Sequence, residues 1–364
     1  MKALIIPSNI GHERLSPLTD REYIFSLPIL GQSLFIRNIE FLMNYGFKNI
    51  IISANDRYPI QFDDSQLNYY PSVKLNFENN FNGSAGLIRQ YKEELTLKDD
   101  IFLVIKDNIL TDINLEEMLK VHIESGFPLT MAVKKVENID EFEHLIGFDF
   151  KNKLTFFEEK LRFDDFLSRW INTGIMIFNK EIFDYMPSEK QYKFYDLEFG
   201  FIPKLLKEKV EIGVYQTNAY IKNITNHITY RQALFDALEG KIKITNCGEE
   251  YSWGYLGAAT EMHAGAFVRG KAYIGERCKI RKALLRNSVI IENDCIIEDD
   301  VILDNVVVLN KSIIKSGSRL RNMNIGFDSK IKPLVKFENM DEIDNTESKF
   351  LNWAMSLVKM LSIK

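Results

Sequence analysis

The side chains in this sequence best placed to carry chemistry stand where apolar runs end. Asp107 follows the fully apolar run Ile101–Ile105 and Lys106. A carboxylate there either caps the turn that follows or helps hold a divalent cation, and phosphate-bound cations need only one or two such groups. After the first apolar run comes Ile6-Pro7-Ser8-Asn9-Ile10-Gly11-His12-Glu13-Arg14. Gly11 lets backbone approach a ligand closely, Asn9 tolerates a left-handed turn, and Arg14 is a cation able to meet a phosphate. Gly83-Ser84-Ala85-Gly86 leads into a helical pattern, as a plain turn or as a surface for a ligand. Glu159-Lys160 is a solvated ion pair or part of a polar site. His12, His122, His227 and His263 stand at no metal-ligand spacing and read as ordinary polar residues. Cys247, Cys278 and Cys295 are too far apart for a disulfide framework or a zinc site.

Composition narrows the classes. At about 100–200 residues per domain, 364 residues imply two domains. With 46% hydrophobic and 27% charged residues the chain is globular, and a net charge of −5 argues against nucleic-acid binding by bulk electrostatics. The N-terminus lacks the apolar core of a signal peptide, and no run is long enough to span a membrane. A reduced, cytoplasmic protein is expected.

Two kinds of element must position the chemical residues. In the first half, apolar runs alternate with helix-period segments: Ala3–Ile6, Asn49–Ser53 and Ile101–Ile105 predict strands, and Leu34–Tyr45 and Gly86–Leu95 predict helices. Repeated units of this kind predict an α/β fold with an open, mostly parallel sheet and a ligand at the strand C-termini, where Asp107 stands. Near residue 260 the pattern changes. Leu284, Ile290, Ile296, Ile302, Val308, Ile314 and Leu320 recur every six residues. Val268, Ile274 and Ile280 precede them in the same period, and Ile325 and Ile331 resume it one residue out of register. Ser288, Asp294, Asp300, Ser312 and Ser318, with Ala272 and Cys278 upstream, fill a small or polar slot between them. Period six fits neither an α-helix nor an alternating strand. It predicts hexapeptide repeats, a triangular coil with every sixth side chain pointing inward. The aromatic cluster Phe142, Phe148, Phe150, Phe156 and Phe157 reads as core. Residues 338–349 read as a linker and 350–364 as an amphipathic C-terminal helix, whose apolar face would cover the coil's open end, another subunit or a membrane surface.

The pairing of these halves resembles the sugar-1-phosphate nucleotidyltransferases, or NDP-sugar synthases, over Lys2 to about Ile331. The residues that carry the resemblance are Ile6–Thr19, Leu27-Pro28-Ile29-Leu30-Gly31, Gly83–Gly86, Asp107–Asp112, Glu159-Lys160 and Asn172-Thr173-Gly174. The resemblance implies a nucleotide-binding Rossmann-like (GT-A-like) domain over 1–245 and a left-handed parallel β-helix over 246–337. It implies attack of a sugar 1-phosphate on an NTP with release of pyrophosphate, activated-sugar supply for polysaccharide or glycan synthesis, and assembly of subunits through the β-helix and C-terminal helix.

Roles carry over residue by residue. Ser8, Asn9 and Gly11 would meet the nucleotide phosphates, and Gly83, Ala85 and Gly86 the base. Arg14 and Asp107 would be catalytic, Glu159, Lys160, Asn172 and Gly174 would hold the sugar phosphate, and Mg2+ would bind Asp107 and Asn223. The chain departs from the family pattern in three places. Pro7-Ser8-Asn9 replaces the loop's small-Gly-Gly run, Ile24 stands for the lysine of a Pro-Lys-Pro segment, and Asn223 stands for the second metal aspartate. Those departures leave a second reading open, a non-catalytic relative that binds nucleotide sugar or a partner subunit. An acyltransferase is disfavoured, because only His263 lies near the repeats and no long loop interrupts them.

Overall fold

The computed structural model describes residues 1–8, 13–16, 18–19, 23–55, 68–78, 82–137, 144–159, 168–188, 194–245 and 247–337. They form two compact units. One gathers described residues among 1–9 and 35–223, the other those among 10–34 and 224–337.

The first unit is built on a nine-stranded sheet. Ile101–Lys106, Lys2–Ile6 and Asn49–Asn55 lie side by side and parallel, as the apolar runs predict, and Val73–Glu78, which no apolar run marks, pairs in parallel beyond Asn49–Asn55. Lys2–Ile6 is buried throughout, which is why its sequence shows no polar alternation. The other half of the sheet is antiparallel, and here the expectation of a mostly parallel sheet needs correction. Trp170–Asn179 runs against Ile101–Lys106 on one side and Leu129–Lys135 on the other. The hairpin His144–Phe148 and Leu154–Glu159 extends that edge, and Ile212–Thr217 pairs in parallel with Leu129–Lys135. Apolar runs buried on both faces look alike in either direction, so the sequence pattern cannot distinguish them.

Helix Leu34–Asn44 stands where its periodicity places it. The expected helix Gly86–Leu95 is two short helices, Ser84–Gln90 and Lys92–Thr96, broken at Tyr91, whose hydroxyl donates to the buried Glu78 carboxylate. Helix Leu115–Ser125 starts on an Asn114 cap and ends at left-handed Gly126. His122 fastens it to the sheet through Thr130 at 2.8 Å and Asn179 at 3.2 Å, and burial lowers its imidazole pKa. Phe157 is buried in the core, but Phe150 sits in a turn with 91% of its surface exposed. Phe142 lies outside the described residues.

The second unit is dominated by stacked parallel strands. Phe267–Ile274, Ala283–Ile291, Val301–Val308 and Arg319–Ile325 belong to one sheet. The short strands Glu261–Met262, Lys279–Ile280, Ile296–Ile297, Ile313–Ile314 and Lys330–Ile331 belong to another. Left-handed residues mark the bends: Asn305, Lys311 and Gly317, then Asn322, Asp328 and Leu334. The bends of these two rungs thus repeat at 17 residues, three to a rung, and the Asn305 amide donates to its counterpart Asn322 one rung on at 3.2 Å; the preceding rung is one residue longer, with Ala283 pairing Val301.

The core coincides with the six-residue series at Ile274, Ile280, Val308, Ile314 and Leu320 and lies one residue beyond it at Leu285, Ile291, Ile297 and Leu303. Its inward aliphatics are Ile291, Ile297, Leu303, Val308, Ile314, Leu320, Ile325 and Ile331, in steps of six, six and five. Leu284, Ile296 and Ile302 are half-buried neighbours of the true core positions. Ile290 is fully buried, but outside that core cluster. Helix His227–Leu238 packs over the strands Phe267–Ile274 and Ala283–Ile291, which calls for a second apolar row beside the inward one. The small slots are Val289, Cys295, Val301, Val306, Ser312 and Ser318, whereas Asp294 and Asp300 are left-handed bends and Ser288 lies between core positions. All three cysteines are buried thiols.

Residues 338–364, with the expected linker and C-terminal helix, lie outside the described residues. Among the described residues no helix is long and apolar enough to cross a membrane.

Candidate active site

Asp107 is completely buried just past the Ile101–Lys106 strand. Its N–H donates to the Ile6 carbonyl at 2.9 Å, and its Oδ1 accepts from the Ser8 N–H at 2.8 Å. These bonds tie two parallel strands together beyond their C-termini and fix a carboxylate where open α/β sheets bind ligands. The Ser8 amide is thereby engaged by Asp107. Asn9 and Gly11 lie outside the described residues. Arg14 is exposed on the short turn Glu13–Leu15 of the second unit. Ile24, also in that unit, is 2% exposed and supplies no charge.

Strand Ile221–Asn223 pairs antiparallel with Ile109–Thr111, and Asn223 faces Ile109, two residues past Asp107. Its Oδ1 is buried and takes no hydrogen bond among the described residues. A hard divalent cation prefers oxygen donors, and this orphaned oxygen with the Asp107 carboxylate suits one, with a single negative charge from the protein. Among the described residues no group of three or more His, Cys, Asp and Glu could hold a metal. Such an ion would complete its shell with water and phosphate oxygens.

The strand Trp170–Asn179 carries the next cluster. Asn172 donates to Glu198 Oε1 at 2.5 Å and accepts the Gly174 N–H at 3.0 Å, while left-handed Gly174 interrupts the pairing with Leu129–Lys135. Lys106 Nζ reaches Glu198 Oε2 at 2.7 Å. Burial pushes the Glu198 carboxyl up, but Lys106, His144 and the Asn172 hydrogen bond together hold it below the ordinary carboxylate range. His144 is itself clamped between Phe157 at 4.7 Å and Phe199 at 4.9 Å. Glu159 ends the strand Leu154–Glu159. Lys160 lies outside the described residues.

Gly83, Ala85 and Gly86 begin helix Ser84–Gln90, which docks on the segment Tyr195–Leu197. Gly86 N–H donates to the Tyr195 carbonyl at 3.0 Å, Ser84 Oγ donates to Asp196 at 2.8 Å, and Leu197 N–H donates back to Ser84 Oγ at 2.7 Å. Gly83, at φ +81°, is required there, because a Cβ would fall 2.5 Å from the Tyr195 carbonyl oxygen.

Of the residues singled out in the sequence, the structure brings Asn223 opposite Ile109, two residues past Asp107, and sets Asn172 beside Gly174. Sequence reasoning missed Glu198 and His144, and gave Lys106 no role. The available signal was a lone Glu198 inside the apolar stretch Leu197–Ile202.

Comparisons with known proteins identify the family. The sequence model described as nucleotidyl transferase matches residues 11–239. A UTP–glucose-1-phosphate uridylyltransferase from Synechocystis is 27% identical over 80% of this chain and 82% of its own. A mannose-1-phosphate guanylyltransferase catalytic subunit beta from Xenopus tropicalis is 26% identical over 50% of this chain, which spans about half of that relative's length (51%). In structure the chain is similar to HddC from Yersinia pseudotuberculosis, with a TM-score of 0.54 at 19% identity over 65% of this chain and 98% of that one. It is likewise similar to a putative glucose-1-phosphate thymidylyltransferase from Bacillus anthracis, with a TM-score of 0.55 at 15% identity over 68% and 98%. These two likenesses bear on the fold alone. The family match covers well over half of the sequence, and the chain belongs to the nucleotidyl transferase family, within which it resembles the NDP-sugar synthases.

Proposed function

We propose that the protein is a sugar-1-phosphate nucleotidyltransferase that forms an NDP-sugar and pyrophosphate from an NTP. A phosphate oxygen of the sugar 1-phosphate attacks the α-phosphorus, the bond from that phosphorus to the bridging oxygen breaks, and pyrophosphate leaves with the electron pair. The protein forms no covalent bond; it positions the reactants and offsets phosphate charge. The observation that carries this reading is the buried Asp107 carboxylate, held by Ser8 at the sheet's C-terminal edge.

Members of the family commonly use a divalent metal. Mg2+ is our choice of ion, with Asp107 and Asn223 as its protein ligands; bound there it would offset charge on the phosphates. In this reading Arg14, Ser8, Asn9 and Gly11 serve the phosphates, Gly83, Ala85 and Gly86 the base, and Glu159, Lys160, Asn172 and Gly174 the sugar phosphate. The 17-residue rungs with three left-handed bends support a left-handed parallel β-helix of hexapeptide repeats over 246–337, following an α/β domain over 1–245. We place the protein in the cytoplasm, supplying activated sugar for polysaccharide or glycan synthesis. We also assign to it self-association, or a partner subunit, through the β-helix and C-terminal helix.

The test is pyrophosphate release from purified protein with magnesium, each common NTP and a panel of sugar 1-phosphates, starting with UTP and glucose 1-phosphate. Release with one pair, abolished in Asp107→Asn, is expected. No release above that control from folded protein would overturn the reading in favour of a non-catalytic relative.

A further inference from the structure

Lys106 stands directly before Asp107, and its side chain turns back along the strand Trp170–Asn179. A Cβ built on Gly174 would fall 3.1 Å from Lys106 Cδ and 3.3 Å from its Cγ, so the lysine stem lies flat against that glycine. Beyond it the ammonium meets Glu198 at 2.7 Å, and the other Glu198 oxygen holds Asn172 at 2.5 Å. Asn172 is locked in turn by Gly174 N–H at 3.0 Å. Lys106 is 19% exposed at its side chain and Glu198 9%, so neither charge is fully hydrated. An ion pair in such a place is a poor source of stability, because desolvation offsets most of the attraction. Its chemistry points to a ligand instead. The pair is neutral as a whole and presents an N–H donor beside a carboxylate acceptor. Two neighbouring hydroxyls of a sugar ring, each both donor and acceptor, match that arrangement; a further phosphate would not, because Glu198 cancels the lysine charge.

We propose that Lys106, paired with Glu198, reads adjacent ring hydroxyls of the sugar 1-phosphate and so sets which sugar is accepted. The proposal rests on the reading of the protein as a sugar-phosphate enzyme. It assigns the lysine a task different from offsetting charge at the α-phosphorus. It also accounts for a large charged residue beside Gly174, where its stem leaves no room for a Cβ.

Binding tests it separately from turnover. Ligand-observed NMR would titrate wild type, Lys106→Met and the double variant Lys106→Met with Glu198→Gln against a panel of hexose 1-phosphates. For the hexose that binds, its monodeoxy analogues would follow. The double variant keeps shape and removes both charges, so it remains folded where the single variant leaves a buried carboxylate without its cation. Wild type should bind one monodeoxy analogue at least about ten-fold more weakly than the parent, because a site built to hydrogen-bond a hydroxyl rejects its absence. The double variant should lose that discrimination. Wild-type affinity and discrimination in the double variant would overturn the proposal, as would failure of every hexose 1-phosphate to bind wild type. Binding with no turnover would contradict the proposed function and leave this inference standing.

Discussion

The buried Glu198 gives the first unit a dependence on pH that one substitution should invert. In the wild type, burial pushes its carboxyl up, and Lys106, His144 and the hydrogen bonds from Lys106 and Asn172 more than offset that, so its pKa is below the ordinary value. A carboxylate with a depressed pKa adds stability that is present above its unfolded pKa and is lost as pH falls through the folded one. The wild-type contribution is therefore constant at neutral pH and disappears only in acid. Lys106→Met removes the largest opposing charge and one hydrogen bond. Burial then dominates, and the carboxyl is raised above its unfolded value. Stability from this group now falls as pH rises from the unfolded to the raised pKa. At pH 8 the loss should approach about 3–5 kcal/mol, the usual cost of breaking a buried pair from one side. At pH 5 it should be smaller by about 1.4 kcal/mol for each unit by which the raised pKa exceeds 5. Urea unfolding followed by circular dichroism at several pH values measures it. Parallel curves for wild type and Lys106→Met would refute the reasoning. So would failure of Glu198→Gln to restore stability in the Lys106→Met background at pH 8.

Three further changes have expected outcomes. Asn223→Asp supplies a second carboxylate at a buried oxygen that takes no hydrogen bond among the described residues; manganese titration followed by electron paramagnetic resonance should show about ten-fold tighter binding. Gly83→Ala forces a Cβ to within 2.5 Å of the Tyr195 carbonyl oxygen at φ +81°; it should cost about 2–4 kcal/mol, from the left-handed backbone and one or two of the hydrogen bonds to Tyr195–Leu197, read as a fall in urea midpoint. Ile297→Ala should cost about 2–5 kcal/mol as a core deletion, while Ile296→Ala, one residue away and half-buried, should cost about 1 kcal/mol or less; equal effects would contradict the register of the rungs.

The fold was legible where periodicity is decisive. Lys2–Ile6, Asn49–Asn55 and Ile101–Lys106 are strands and Leu34–Asn44 is a helix, as their patterns require. Strand direction was not legible, because Trp170–Asn179 is as apolar as its parallel neighbours and only its connections reverse it. In the second half the period was visible and its phase was not. From Leu285 to Leu303 the core row itself steps by six, with Leu284, Ile290, Ile296 and Ile302 each one residue before it, and the five-residue step from Leu303 to Val308 brings the same series into the core at Val308, Ile314 and Leu320. Helix His227–Leu238 covers part of the outer face and demands apolar residues there too. A single five-residue step therefore shifts the phase of the core without interrupting the visible period.

At the site, Asp107 could be found because a strand end is a local feature. The Lys106–Glu198–Asn172 cluster could not, because it joins residues 92 and 26 positions apart that only the folded sheet brings together. Ile24 is the opposite case, since its apolar side chain already implied the burial that the fold displays.

The central claim is that an oxygen of the sugar phosphate attacks the α-phosphorus of an NTP and pyrophosphate leaves, and isotopic labelling tests it most directly. Sugar 1-phosphate carrying oxygen-18 in its phosphoryl group would be incubated with the accepted NTP and magnesium, and the products separated and weighed by mass spectrometry. The account predicts an NDP-sugar that retains all of the label and an unlabelled pyrophosphate. Label in the pyrophosphate, or no NDP-sugar from folded protein, would contradict it.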